Sequence, residues 1–265
     1  MMITSLQNLR VKEAVKLRGR RDRDKTGLFL IEGFRELLRA VDAGIDVQTL
    51  FFCPEFFLGT NETALIERSG AEQVLQCNES VFAKMSYRDR PDGLLAIAKK
   101  RSLSLEEFGE SLGDNPFIVV AEAIEKPGNL GTILRSSDAV GADGVIVSDR
   151  CTDIFNPNVV RASVGTLFTV PVVEAKGDEV LAFLRERGVT IVASTPSAEV
   201  EYTKVDLKGP VAIAIGTEQL GLSEKWLESA DLKVKLPMLG VADSLNAAMA
   251  TSVLLYEVLR QRSDG

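Results

Sequence analysis

The run Val211-Ala-Ile-Ala-Ile-Gly216-Thr-Glu-Gln-Leu-Gly221-Leu-Ser223 sets the fold class. Five apolar residues without polar alternation read as a strand covered on both faces, a pattern of parallel sheets flanked by helices. Working outward, the runs at 117–121 (FIVVA), 144–148 (GVIVS), 189–194 (VTIVAS) and 233–236 (KVKL) share that texture. Helical stripes alternate with them: Leu130, Ile133, Leu134 and Val140, then Val180, Leu181 and Leu184. Asn156-Pro157 supplies an N-cap followed by proline at the first helical position, predicting a helix over about 158–165. A last helix, starting near Ser244, puts Leu245, Ala248, Met249, Ser252, Val253 and Leu259 at helical spacing. A mainly parallel α/β sheet accounts for all of this.

The amino-terminal part reads as a smaller α/β domain. Leu28-Phe29-Leu30-Ile31 is strand-like, Phe34, Leu37, Leu38 and Val41 are helical, and Leu50-Phe51-Phe52 is a second strand, which is βαβ grammar. Leu94 to Ala98 reads as a further strand, and the polar, weakly ordered stretch after it predicts domains at 1–102 and 116–265 joined by a linker at 103–115. Arg10, Lys16, Arg18, Arg20, Arg21 and Arg23 lie in the one strongly basic stretch, read either as a solvated helix face with a polar turn or as a phosphate-contacting arm. The chain as a whole is acidic, with 31 basic and 38 acidic side chains, so charge placement matters more than its sum.

Composition excludes several chemistries. At 265 residues and 45% hydrophobic content the chain can bury a core without disulfides or structural metal. Cys53, Cys77 and Cys151 are odd in number and never in CxxC spacing, which argues against zinc or thioredoxin chemistry and suits a reducing compartment. With no histidine, Ser-His and Cys-His mechanisms are removed, and no metal site is expected. No run approaches the roughly 20 apolar residues of a bilayer span, so a soluble, cytoplasmic protein is expected. The dinucleotide fingerprint GxGxxG is missing, and Leu222 stands where a phosphate loop requires lysine, which weakens a nucleotide-hydrolase reading of 216–223. What remains is a glycine-bounded turn holding Glu218 at a strand's carboxyl end, where open α/β sheets place ligands.

Two further turns complete a pattern: Glu125-Lys-Pro-Gly-Asn129-Leu-Gly131-Thr-Ile-Leu-Arg135, and Leu236-Pro-Met-Leu-Gly240-Val-Ala-Asp-Ser244-Leu-Asn246. In order and spacing the three turns resemble the signature motifs of the SpoU (TrmH-type) RNA 2′-O-ribose methyltransferases of the SPOUT superfamily. The stretch KTGLFLIEGFRELLRA resembles the L30e-like substrate-binding domain often joined to that family. The resemblance implies a carboxyl-terminal domain with a deep trefoil knot, S-adenosylmethionine bound in the knotted loops, and a homodimer formed through that domain. It implies cofactor contacts at Thr195, Gly216, Leu236, Met238, Gly240 and Leu245, with Gly216 and Gly240 letting main chain approach the ligand.

By the same resemblance Arg135 is the catalytic residue, with Asn129, Glu218, Ser244 and Asn246 as its partners. A guanidinium is a poor base, so Arg135 is read as positioning a phosphate and stabilising the developing alkoxide, while the resemblance also implies direct proton abstraction by Arg135 as the alternative; Asn129 is read as orienting Arg135 or the ribose. Glu218 either pairs with Arg135 or accepts the proton. Arg161 resembles a substrate- or partner-contacting position of relatives that modify ribosomal RNA. The function implied is methyl transfer to a ribose 2′-hydroxyl, in ribosomal RNA more than in transfer RNA; the alternative is a noncatalytic RNA-binding protein retaining the fold.

Overall fold

The computed structural model describes residues 2–149 and 152–263, so Cys151 lies outside the described residues. The chain opens with α1 (Leu9–Lys16), α2 (Arg20–Thr26), β1 (Leu28–Glu32), α3 (Phe34–Asp42), β2 (Val47–Phe52), α4 (Glu62–Arg68), β3 (Gln73–Gln76), α5 (Glu79–Met85) and β4 (Leu94–Lys99). It continues through α6 (Leu105–Ser111), β5 (Phe117–Glu122), α7 (Pro127–Ala139), β6 (Gly144–Ser148), α8 (Pro157–Ala162), β7 (Val172–Ala175) and α9 (Gly177–Glu186). The remainder is β8 (Thr190–Ser194), β9 (Val200–Glu201), β10 (Val211–Ile215), α10 (Glu224–Ser229), β11 (Leu232–Lys235) and α11 (Ala247–Ser263). Two compact units result, residues 1–101 with 153–169, and residues 102–152 with 170–265.

The first unit is a four-stranded sheet in the order β1-β4-β2-β3. β4 runs antiparallel to both β1 and β2, so the predicted βαβ unit keeps its strand direction while a later strand is inserted between its two members. Its core joins Leu30, Phe51, Leu95 and Ile97 to Val81, Phe82 and Met85 of α5 and to Val11 and Ala14 of α1. Phe29 packs on Phe155 and Phe168, with ring centroids 4.8 and 6.0 Å away, which ties residues 153–169 to this unit. α8 is capped as read, the Asn156 side chain accepting from the Asn158 amide.

The second unit is a seven-stranded parallel sheet in the order β7-β6-β5-β10-β8-β11-β9. The five strands read from apolar runs are all present; β7 and β9, unread, are short edge strands with mixed burial. The stretch expected as a linker at 103–115 contains α6 instead. Ser104 and Glu107 close a capping box at its start, and Phe108 enters the core beside Trp226 and Phe183. Gly144 allows this: a Cβ there would meet the Phe108 ring at 2.5 Å. No helix among the described residues is long and apolar enough to cross a membrane.

Candidate active site

Three loops at strand ends of the second unit enclose a cavity of about 340 Å³. The first follows β10. It folds back on itself through paired main-chain bonds of 3.0 Å between Thr217 and Gly221, which has a positive φ of 69°. A Cβ on Gly216 would overlap the Gly221 carbonyl. Gly216 therefore serves closure of its own loop, and it also lines the cavity. Glu122, at the end of β5, accepts from the Ser223 amide at 2.8 Å and ties the loop's far end to the sheet centre, a contact no local pattern announces.

The second loop is 236–246. Its residues 236–245 have no main-chain partner for their amides and carbonyls among the described residues. Polar main-chain groups of this kind need a partner when covered. Leu236, Met238, Ser244 and Leu245 line the cavity, and so does Thr195 from the third loop, after β8. Gly240 does not, contrary to expectation; it is exposed, and a Cβ there would meet nothing within 4 Å. Pro196 and Leu227, which no motif marked, complete the apolar wall with Ile215 and Leu222.

At the cavity's edge the structure joins three of the five candidate catalytic residues. Asn246 Nδ2 donates to Asn129 Oδ1 at 3.1 Å and to Glu218 Oε1 at 3.4 Å. Asn246 Oδ1 accepts from the Ala248 amide at 3.0 Å, so helix capping fixes which way the amide points. The cap of α11 is thus Asn246, and the helix starts at Ala247, later than the start expected near Ser244. Glu218 pairs with Lys126 at 2.8 Å; it does not pair with Arg135. Asn129 Nδ2 is buried without a partner, an orphaned donor inside the cluster.

Arg135 stands apart. It is exposed on α7, and six residues after Asn129 places it about 120° around the helix from that side chain. Asn129 and Ser136 share the face turned to α11, where Ser136 Oγ meets Ser252 Oγ at 2.6 Å. Arg135 has no hydrogen-bonded or ion-paired partner among the described residues.

The basic stretch divides by role. Arg23, expected to contact RNA, is 1% exposed: its Nη2 meets Asp153 Oδ2 at 2.6 Å and its Nη1 donates to the Leu17 and Arg18 carbonyls. It holds the first unit together. Arg18 caps α5 through the Lys84 and Met85 carbonyls at 2.8 and 2.7 Å. Arg10 and Arg20 form surface pairs with Glu13 and Asp24, while the Lys16 and Arg21 side chains are exposed and unpaired among the described residues. Cys53 and Cys77 are buried, and burial pushes both thiols up to about 12, which removes them from thiolate chemistry.

A parallel sheet whose strand-end loops line a partly apolar cavity beside an amide and carboxylate cluster defines an α/β protein with a ligand site at the carboxyl ends of its strands. Residues 116–256 match the SpoU rRNA Methylase family, and residues 8–96 match the MRM3-like substrate binding domain. A 23S rRNA (uridine(2479)-2′-O)-methyltransferase of Streptomyces viridochromogenes is 32% identical over 99% of this chain and 93% of its own. A solved RNA 2′-O ribose methyltransferase superposes with a TM-score of 0.88 at 42% identity, covering 99% of this chain and 100% of the other. An AdoMet-bound rRNA methyltransferase from Sinorhizobium meliloti gives 0.89 at 32% identity, covering 98% of this chain and 97% of the other. This chain belongs to the SpoU rRNA methylase family.

Proposed function

We propose that the protein transfers the methyl group of S-adenosylmethionine to a ribose 2′-hydroxyl of 23S ribosomal RNA, as a homodimer in the cytoplasm. The observation that carries this is the Asn129, Glu218 and Asn246 cluster at the edge of the loop cavity. The residues fit the cofactor: Ile215, Leu222, Leu227 and Leu236 offer apolar walls for an adenine, and the unpaired main chain of 236–245 offers donors and acceptors. Thr195, Gly216, Met238 and Leu245 complete that set. When bound, the cofactor supplies an electrophilic methyl group on a sulfonium. Relatives that match this chain end to end are named for 23S rRNA, which favours ribosomal over transfer RNA.

The chain's own residues have separable tasks. Asn129 and Asn246 place amides where a ribose hydroxyl is held, and Glu218, steadied by Lys126, is the carboxylate available to take its proton. Ser244 shapes the cavity wall. Arg135 positions the adjoining phosphate and stabilises negative charge on the attacking oxygen. Within one chain it points away from the cluster, so a second subunit is what brings it there.

The exposed apolar side of α11 supports a second subunit. Leu245, Met249, Val253 and Tyr256 are 39%, 62%, 37% and 53% exposed at helical spacing, while the opposite side of α11 is buried through Leu254, Leu255 and Val258. A helix apolar on both sides packs on two partners. We read the loop-lined cavity as the knotted part of the fold, and residues 1–102 and 116–265 as the RNA-binding and methyltransferase domains, with 153–169 of the second packed into the first unit and 103–115 packed into the second. Mapping ribose methylation across total RNA with and without the protein tests the assignment. One added 2′-O-methyl group in 23S rRNA is expected, and failure of the purified dimer to bind S-adenosylmethionine in calorimetry would overturn it.

A further inference from the structure

A second cavity, of about 550 Å³, lies wholly within the amino-terminal unit, at the start of α3 and beside the turn leading into α4. Its wall carries three carboxylates, Glu36, Glu62 and Asp92, and three guanidinium groups, Arg35, Arg88 and Arg161. Part of this charge is committed to the fold. Glu62 Oε1 accepts from the Leu58 and Gly59 amides at 3.1 and 2.7 Å, Asp92 Oδ2 accepts from the Phe34 amide at 2.8 Å, and Glu36 Oε1 accepts from Arg88 Nη2 at 2.6 Å. Gly33, with φ of 115°, leaves the space in which Arg88 and Glu36 meet.

The remainder is a specific set. Glu62 Oε2 and Asp92 Oδ1, both acceptors, and Arg88 Nε, a donor, are shielded from solvent without a hydrogen-bond partner. Glu62 as a whole is only 4% exposed. Buried polar atoms in folded proteins are nearly always satisfied, because leaving one unpaired forfeits its hydration for nothing. Three on the residues of one cavity call for a ligand edge with two donors and one acceptor. Among nucleobases, guanine has that edge: N1–H and the N2 amino group beside O6. Adenine and cytosine present one amino group, and uracil a single N–H between two carbonyls. Arg35 and Arg161, exposed and unpaired among the described residues, stand ready for a phosphate.

We propose that this cavity takes one unpaired guanosine nucleotide of the RNA substrate, its base edge read by Glu62, Asp92 and Arg88 and its phosphate held by Arg35 and Arg161. The proposal rests on the reading of the protein as acting on RNA. It is distinct from the methyl-transfer site, which lies in the other unit. Entry requires side chains around the cavity to move, since the three atoms are shielded from solvent in the free chain. Single-stranded RNA is commonly read in this way, with a base turned out of its stack into a pocket.

The test uses the full chain with its methyl-donor site saturated by S-adenosylhomocysteine, titrated with GMP, AMP, CMP and UMP by NMR. GMP should bind about tenfold more tightly than the others, the discrimination that a good bidentate base contact provides. In Glu62→Gln the Leu58 and Gly59 amides keep Oε1, so an NH₂ group replaces Oε2 and an acceptor becomes a donor at unchanged shape. The guanine preference should vanish while the melting temperature stays. Arg161→Ala should weaken GMP and leave guanosine unaffected. Equal binding of the four nucleotides, no binding, or a preference that survives Glu62→Gln overturns the proposal and leaves a merely hydrated cavity. Failure to methylate RNA would sink the enzymatic reading without altering this titration.

Discussion

Asn246 does two things with one side chain: its oxygen caps α11, and its amide nitrogen reaches Asn129 and Glu218. The two are separable by substitution. Asn246→Ala should lose about 1 kcal/mol of stability along with methyl transfer, as removal of an N-cap does. Asn246→Asp keeps the capping oxygen but turns an acceptor toward Glu218, so transfer should fall with a smaller change in melting temperature than in the alanine variant. A transfer assay beside a thermal melt checks both, and full activity in the aspartate variant would remove the amide from the mechanism. The motif named Asn246 through its spacing. The direction of its amide was not legible, because it depends on where α11 starts.

At the scale of elements, the two loop glycines should behave oppositely although their motifs present them alike. Gly216→Ala puts a methyl group into the Gly221 carbonyl, so the loop cannot close and cofactor binding in calorimetry should be lost. Gly240→Ala meets open space and should bind normally. Helix α11 carries the other prediction at this scale. On the proposed dimer, Met249→Glu on its exposed apolar side should give a 28.8 kDa monomer in gel filtration and abolish transfer, because that reading needs Arg135 to serve the cluster of the opposite subunit. The helical spacing of α11 was readable from sequence; that it is apolar on both sides mattered only once α7 and β10 were seen to cover one of them.

For the molecule as a whole, charge placement decides what the net charge of −7 conceals. Lys16→Ala and Arg21→Ala, at exposed positions, should each weaken RNA binding and reduce its log–log salt slope by about 0.7 to 0.9. Asp153→Ala should instead destabilise the protein by about 3–5 kcal/mol, because it leaves Arg23 buried and unpaired. Denaturation and salt-dependent binding curves separate the two classes. Strand-forming apolar runs, the Asn156 cap and the order of the three turns were readable because each depends on residues close in the chain. Which arginine of Arg20-Arg21-Asp22-Arg23 turns inward was not, since its partner lies 130 residues away. The same holds for Glu218 meeting Lys126 and for Glu62 and Asp92 sharing a cavity, whereas Arg135 facing away from Asn129 follows from the helix period alone. Local spacing carries helix period, strand burial and turn chemistry; contacts between distant side chains arise only when packing brings separate elements together, and no spacing rule encodes them.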